Sequence, residues 1–181
     1  MKTFHVLLMS IIYFDAFAKE QSMNTINPLQ AGDKAPAFSL QNQDGETIVL
    51  ADLLKQQQVL VYFYPKASTP GCTVQAENLR DEKGVLAQLN TRVVGISPDP
   101  VKKLKNFETK KDLNFDLLSD EDHAIAEAFG VWGYKKFMGK EYDGIHRLSF
   151  LIGQDGTIKH FFDKFKTKDH HQVVLDYLTK D

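Results

Sequence analysis

One short stretch limits what this chain can fold into: an unbroken apolar run at residues 59–64, V-L-V-Y-F-Y, stops at Pro65, and shortly afterwards comes the only cysteine. An apolar run of that length between turn signals reads as a buried strand. Thr69, Pro70 and Gly71 then supply the cap and turn residues that open a helix, which puts Cys72 in its first turn. Unpaired backbone N–H groups and the positive end of the helix dipole favour an anion there. The thiolate, and not the thiol, is the reactive form of cysteine. A lone cysteine is more often a small buried hydrophobe than a nucleophile. Chemistry is favoured by its company, because Pro65, Thr69 and Cys72 form a Pro-x-x-x-Thr-x-x-Cys spacing across a strand-to-helix turn.

The rest of the chain is consistent with one domain built around that turn. Its 181 residues, 43% hydrophobic and 25% charged, can bury a single sizeable core. A net charge of -2 with scattered lysines gives no basic patch, so no nucleic-acid partner is expected. One cysteine excludes an intramolecular disulfide, a Cys-x-x-Cys pair and a multi-cysteine zinc site. At the N-terminus, Lys2 precedes a mostly apolar run at 4–12, and Ala16, Phe17 and Ala18 give an A-x-A ending. This reads as a secretory signal peptide over 1–18, cleaved after Ala18, with a flexible lead-in at 19–27 and the domain at 28–181. The implied location is periplasmic or secreted, with a cytoplasmic location as the alternative. The apolar run is too short to span a bilayer, so no membrane partner is expected once the signal is removed.

Pattern along the chain predicts alternating elements. Residues 28–40 read as ordered surface loop, 42–45 as a turn, 46–50 as a strand and 51–57 as a short helix. Ala76, Leu79, Leu86 and Leu89 continue helical spacing behind Cys72, with Gly84 as a weak point. Strands are expected at 92–96 and 115–118 and helices at 100–111 and 121–129. Residues 130–144, rich in glycine, aromatics and lysine, read as a long loop. A strand at 147–152, a turn at Gln154, Asp155 and Gly156, and a returning strand at 157–162 form a hairpin, followed by a helix at 167–178. The fold class is α/β, with a central mixed β-sheet flanked by helices.

From residue 27 onward the chain resembles the peroxiredoxins of the bacterioferritin comigratory protein, or PrxQ, type. The resemblance rests on NPLQAGDKAPAFSL, VLVYFYPKASTPGCTVQAENLRD, VVGIS, LLSDEDHAIAEAFGVWG, FMGKEYDGIHRLSFLI and DGTI. It implies a thioredoxin-like fold and thiol-dependent reduction of hydrogen peroxide and organic hydroperoxides, with no cofactor and no metal. It also implies that Cys72 is the peroxidatic cysteine, that Thr69 and Pro65 shape its pocket, and that Arg147 is the distant arginine of the site. A hydroxyl at Thr69 and a fixed cation at Arg147 both suit a thiolate and the charge that develops as an O–O bond lengthens.

The chain departs from this type at one position. Many relatives place a resolving cysteine five residues after the peroxidatic one, where this chain has Glu77. A sulfenic acid at Cys72 therefore needs an external thiol: glutathione, glutaredoxin or a thioredoxin-like protein. Glu77 itself reads as a solvated helix residue. The expected assembly is a monomer or weak dimer. His123, His146, His160, His170 and His171 show no metal-ligand spacing, and His170 and His171 read as solvated residues at the last helix. Trp132, Phe137, Met138 and Tyr142 are equally consistent with a peroxide approach and with packing. The alternative to a peroxidase is a peroxide sensor or chaperone-like binding protein on the same fold; a third reading is a structural intermolecular disulfide through Cys72.

Overall fold

The computed structural model describes residues 25–180, so the signal-peptide reading of 1–18 lies outside the described residues. The apolar run becomes β3 (Gln58–Phe63), buried along its whole length. Its side chains alternate between two cores, as a period of two requires. Val59, Val61 and Phe63 enter one cluster with Phe38, Phe129, Leu148 and Phe150, while Leu60, Tyr62 and Tyr64 enter the other with Cys72, Leu79, Phe107 and Val174.

Among the described residues, β3 is an inner strand, fifth in order, of a seven-stranded mixed sheet. β4 (Thr91–Ser97) runs parallel to it on one side and β8 (Ser149–Ile152) antiparallel on the other. β5 (Asp116–Ser119) lies parallel beyond β4, then β1 (Ser39–Asn42) and β2 (Thr47–Val49) close that edge antiparallel. β9 (Ile158–Phe162) pairs with β8 at the other edge through the expected turn, where Gly156 takes a φ of 78°. Among the described residues, six helices complete the order: α1 (Leu50–Leu54), α2 (Pro70–Asp81), α3 (Lys83–Gln88), α4 (Val101–Lys111), α5 (Ala124–Ala128) and α6 (His170–Leu178). This is the thioredoxin-like arrangement expected from the resemblance.

Several expectations need correction. Residues 130–144 are no loop: β6 (Trp132–Phe137) and β7 (Lys140–Ile145) pair as an antiparallel hairpin outside the main sheet. Met138 and Gly139 join them with φ of 49° and 75°, the positive pair that suits a tight hairpin turn. Most residues of both strands are exposed or half-buried, so the sequence has no apolar alternation to reveal them. The helix behind Cys72 breaks at Glu82, two residues ahead of Gly84, and resumes as α3. The strand expected at 147–152 begins only at Ser149, which leaves His146 and Arg147 in the connection from β7.

Ordered packing begins before residue 28. Ile26 packs against the first core, and the N–H of Leu29 donates to the carbonyl of Phe129 at 3.2 Å. Gly130, with a φ of 73°, makes this possible, since a Cβ there would lie 1.9 Å from the Asn27 carbonyl oxygen. Substituting Gly130→Ala must strain a left-handed backbone and push the leading segment off the core. A loss of roughly 2 kcal/mol or more in urea unfolding is expected. Unchanged stability would show that the contact is dispensable.

Candidate active site

The chain turns from β3 into α2 through residues 64–69, and a buried carboxylate holds that turn in place. Asp99, 6% exposed just beyond β4, accepts the N–H of Ala67 at 2.7 Å and the hydroxyl of Ser97 at 3.0 Å. Ser119, at the end of β5, donates to the Asp99 carbonyl at 2.7 Å. The ends of two parallel strands thus fix the start of α2.

Cys72 is the third residue of α2 and is 1% exposed. Thr69 is the N-cap in backbone geometry, and its carbonyl accepts the first helical hydrogen bond, from Thr73, at 2.9 Å. Pro70 has no N–H to leave unpaired. The N–H groups of Gly71 and Cys72 precede that first bond and so carry the positive end of the helix. The Thr69 hydroxyl donates to the carbonyl of Lys66 at 2.9 Å, and Pro65 is half-buried at the start of the same turn. Among the described residues, the hydrogen bond to sulfur comes from Arg147.

Arg147 reaches the site from the connection before β8. Its Nη2 donates to Cys72 Sγ at 3.3 Å, and its Nη1 donates to Gln75 Oε1 at 2.5 Å. The pairing of Cys72 with Arg147 spans 75 positions of sequence. Pro65 and Thr69 line the turn that leads to the sulfur. Behind Cys72, Tyr62 and Tyr64 stack at a centroid distance of 5.3 Å, and burial pushes both phenols up from their ordinary range.

Several participants escaped the sequence reading. Lys135 on β6 donates to the Ile145 carbonyl at 2.8 Å; burial, and then the nearby charge of Arg147, lowers its ammonium from the usual lysine range. His170 is not solvated: it is fully buried, its Nδ1 lies 2.9 Å from Gln75 Nε2, and its Nε2 lies 2.9 Å from Ser149 Oγ. A His-His pair at a helix start gives no hint of this, because the partners arrive from α2 and β8. Glu77 is half-exposed and lies 3.6 Å from Lys111 Nζ. Trp132 stacks on His123 at 3.9 Å, while Phe137, Met138 and Tyr142 stand exposed on the hairpin. A cavity of about 480 Å³ opens elsewhere, lined by residues including Leu79, Arg92, Phe115 and Asp116, and Cys72 is not part of its wall.

Burial pushes the His170 imidazole down to about 3, with the charges of Arg147 and His171 acting in the same direction. An unfolded histidine titrates near 6.5, so below that pH the unfolded chain binds a proton that the folded chain refuses. Stability from this group is complete above about pH 6.5 and falls as the pH drops toward 3. Wild type should therefore lose up to roughly 1.4 kcal/mol more per pH unit than His170→Asn between about pH 6 and pH 4. Urea unfolding of both proteins across that range checks this, and parallel profiles would refute it.

The pattern of the AhpC/TSA family matches residues 31–161. The peroxiredoxin Bcp of Escherichia coli is 61% identical over 153 residues, covering 84% of this chain and 97% of that protein. Among solved structures, the peroxidoxin BcpB of Mycobacterium tuberculosis superimposes with a TM-score of 0.75 at 32% identity, covering 84% of this chain and 99% of that one. A bacterioferritin comigratory protein of Xanthomonas campestris, described for its alkyl peroxide reduction activity, gives a TM-score of 0.74 at 29% identity, covering 84% and 96%.

Proposed function

This chain belongs to the AhpC/TSA family of peroxiredoxins and is a thiol-dependent peroxidase, and from that premise we propose that Cys72 is its peroxidatic sulfur, served by Arg147, Thr69 and Pro65. The observation that carries the assignment is the 3.3 Å hydrogen bond from Arg147 to a buried sulfur in the first turn of α2. A permanent cation and a helix N-terminus together favour the thiolate. The thiolate attacks one peroxide oxygen; the S–O bond forms as the O–O bond breaks, and the leaving alkoxide or hydroxide takes up a proton as alcohol or water. Guanidinium and backbone N–H groups stabilise the negative charge that develops on those oxygens. Thr69 lies beside this path with an oxygen able to accept a peroxide proton. Pro65 keeps bulk water off the sulfur.

Cys72 is left as a sulfenic acid, oxidised by two electrons while the peroxide is reduced by two. The chain has one cysteine, so no second thiol of its own can condense with that acid. An external thiol displaces water to give a mixed disulfide, and a second thiol releases Cys72 and leaves as a disulfide. Glutathione, glutaredoxin and a thioredoxin-like protein all supply that chemistry. The preferred hydroperoxides in this reading include alkyl hydroperoxides, supported by the likeness to the X. campestris protein. The proposed functional unit is a monomer or weak dimer in the periplasm or outside the cell, a reading supported by Lys2, the apolar run at 4–12 and the A-x-A ending at Ala16, Phe17 and Ala18, with a cytoplasmic location as the alternative.

Peroxide consumption with dithiothreitol should proceed over many turnovers in wild type and stop in Cys72→Ser. Mass spectrometry after excess peroxide without thiol should show Cys72 moving on to the sulfinic and sulfonic forms. Full turnover in Cys72→Ser would reject the assignment, and a single unrecycled oxidation would favour the sensor.

A further inference from the structure

Arginine has only donors, and that one fact orders a chain of hydrogen bonds behind the reactive sulfur. Arg147 Nη1 donates to Gln75, so the Gln75 atom facing it must be the carbonyl oxygen, at 2.5 Å. The Gln75 NH2 group then faces His170 Nδ1 at 2.9 Å and can only donate. His170 Nδ1 must accept, so the ring proton resides on Nε2, which faces Ser149 Oγ at 2.9 Å. Gln75, His170 and Ser149 are each 0% exposed, so no bulk water substitutes for a missing partner. A proton on Nδ1 would set donor against donor and invite the Gln75 amide to flip its NH2 group toward Arg147.

We propose that His170 is a positioning residue for the reaction: as the Nε2–H tautomer it locks the amide of Gln75, and Gln75 in turn holds the Arg147 guanidinium on Cys72. This rests on the peroxidatic assignment of Cys72 above. It extends the site across α2, the connection before β8, β8 itself and α6, and gives α6 a task in the chemistry besides covering the core. The ring is also held in place by packing, with Phe165 at a centroid distance of 4.2 Å and Tyr62 at 6.1 Å. Burial keeps it neutral, consistent with an acceptor at Nδ1.

The test compares wild type, His170→Leu and His170→Asn, whose side-chain oxygen can reach the place of Nδ1. Three quantities are read: the second-order rate with hydrogen peroxide, the pH profile of Cys72 alkylation by iodoacetamide, and the melting temperature. The Leu variant should react with peroxide about 10- to 100-fold more slowly, the equivalent of one buried donor left unpaired. Its alkylation profile should move to higher pH, because the cation held at the sulfur favours the anion. Asn should recover most of both. Alkylation reads Cys72 without peroxide, so this outcome stands apart from the peroxidase reading that Cys72→Ser tests. A folded Leu variant with the native rate and alkylation profile would overturn the proposal. If Leu fails to fold, 15N NMR of the wild-type imidazole decides: a proton on Nε2 and none on Nδ1 supports it, and a proton on Nδ1 overturns it.

Discussion

A sulfur buried to 1% exposure and a guanidinium 3.3 Å away form the contact on which the rest of this structure depends. A desolvated anion at such a buried position is costly. A permanent cation offsets that cost only if it is held at the sulfur, since a mobile arginine would swing into solvent. The fold therefore fixes both ends. Asp99 ties the turn ahead of α2 to the ends of β4 and β5, and Gln75 grips the guanidinium from the next turn of the same helix.

Topology explains how residues so distant in sequence meet. β3 runs between parallel β4 and antiparallel β8, so the helix that leaves β3 and the connection that enters β8 converge at one end of the sheet. Cys72 comes with the first and Arg147 with the second. α6 then returns over the same face and delivers His170 to both, 95 positions from Gln75 and 21 from Ser149. The hairpin of β6 and β7 adds Lys135 from outside the sheet.

Much of this was legible before any coordinates. The apolar run at 59–64, the Pro65-Thr69-Cys72 spacing and the turn at Gly156 are local signals, and each marks its element within a residue or two. Arg147 came from resemblance, because nothing in its surroundings distinguishes it from a surface cation. The outer hairpin stayed hidden because its strands bury no continuous face, leaving only Met138 and Gly139 as a signal. His170 was misread for a different reason. Its burial depends on a glutamine and a serine from two other elements, and no pattern within α6 encodes them. Asp99 escaped in the same way.

In the proposed mechanism the fixed charge of Arg147 makes the buried sulfur reactive, and the direct measurement is the stopped-flow rate of Arg147→Met with hydrogen peroxide, taken beside its melting temperature. Methionine keeps a long unbranched stem and removes the charge and its donors. The rate should fall roughly 100-fold or more, as when a preorganised donor is lost from a site of developing negative charge, while the melting temperature moves by only a few degrees. A folded Arg147→Met protein reacting at the native rate would contradict the account.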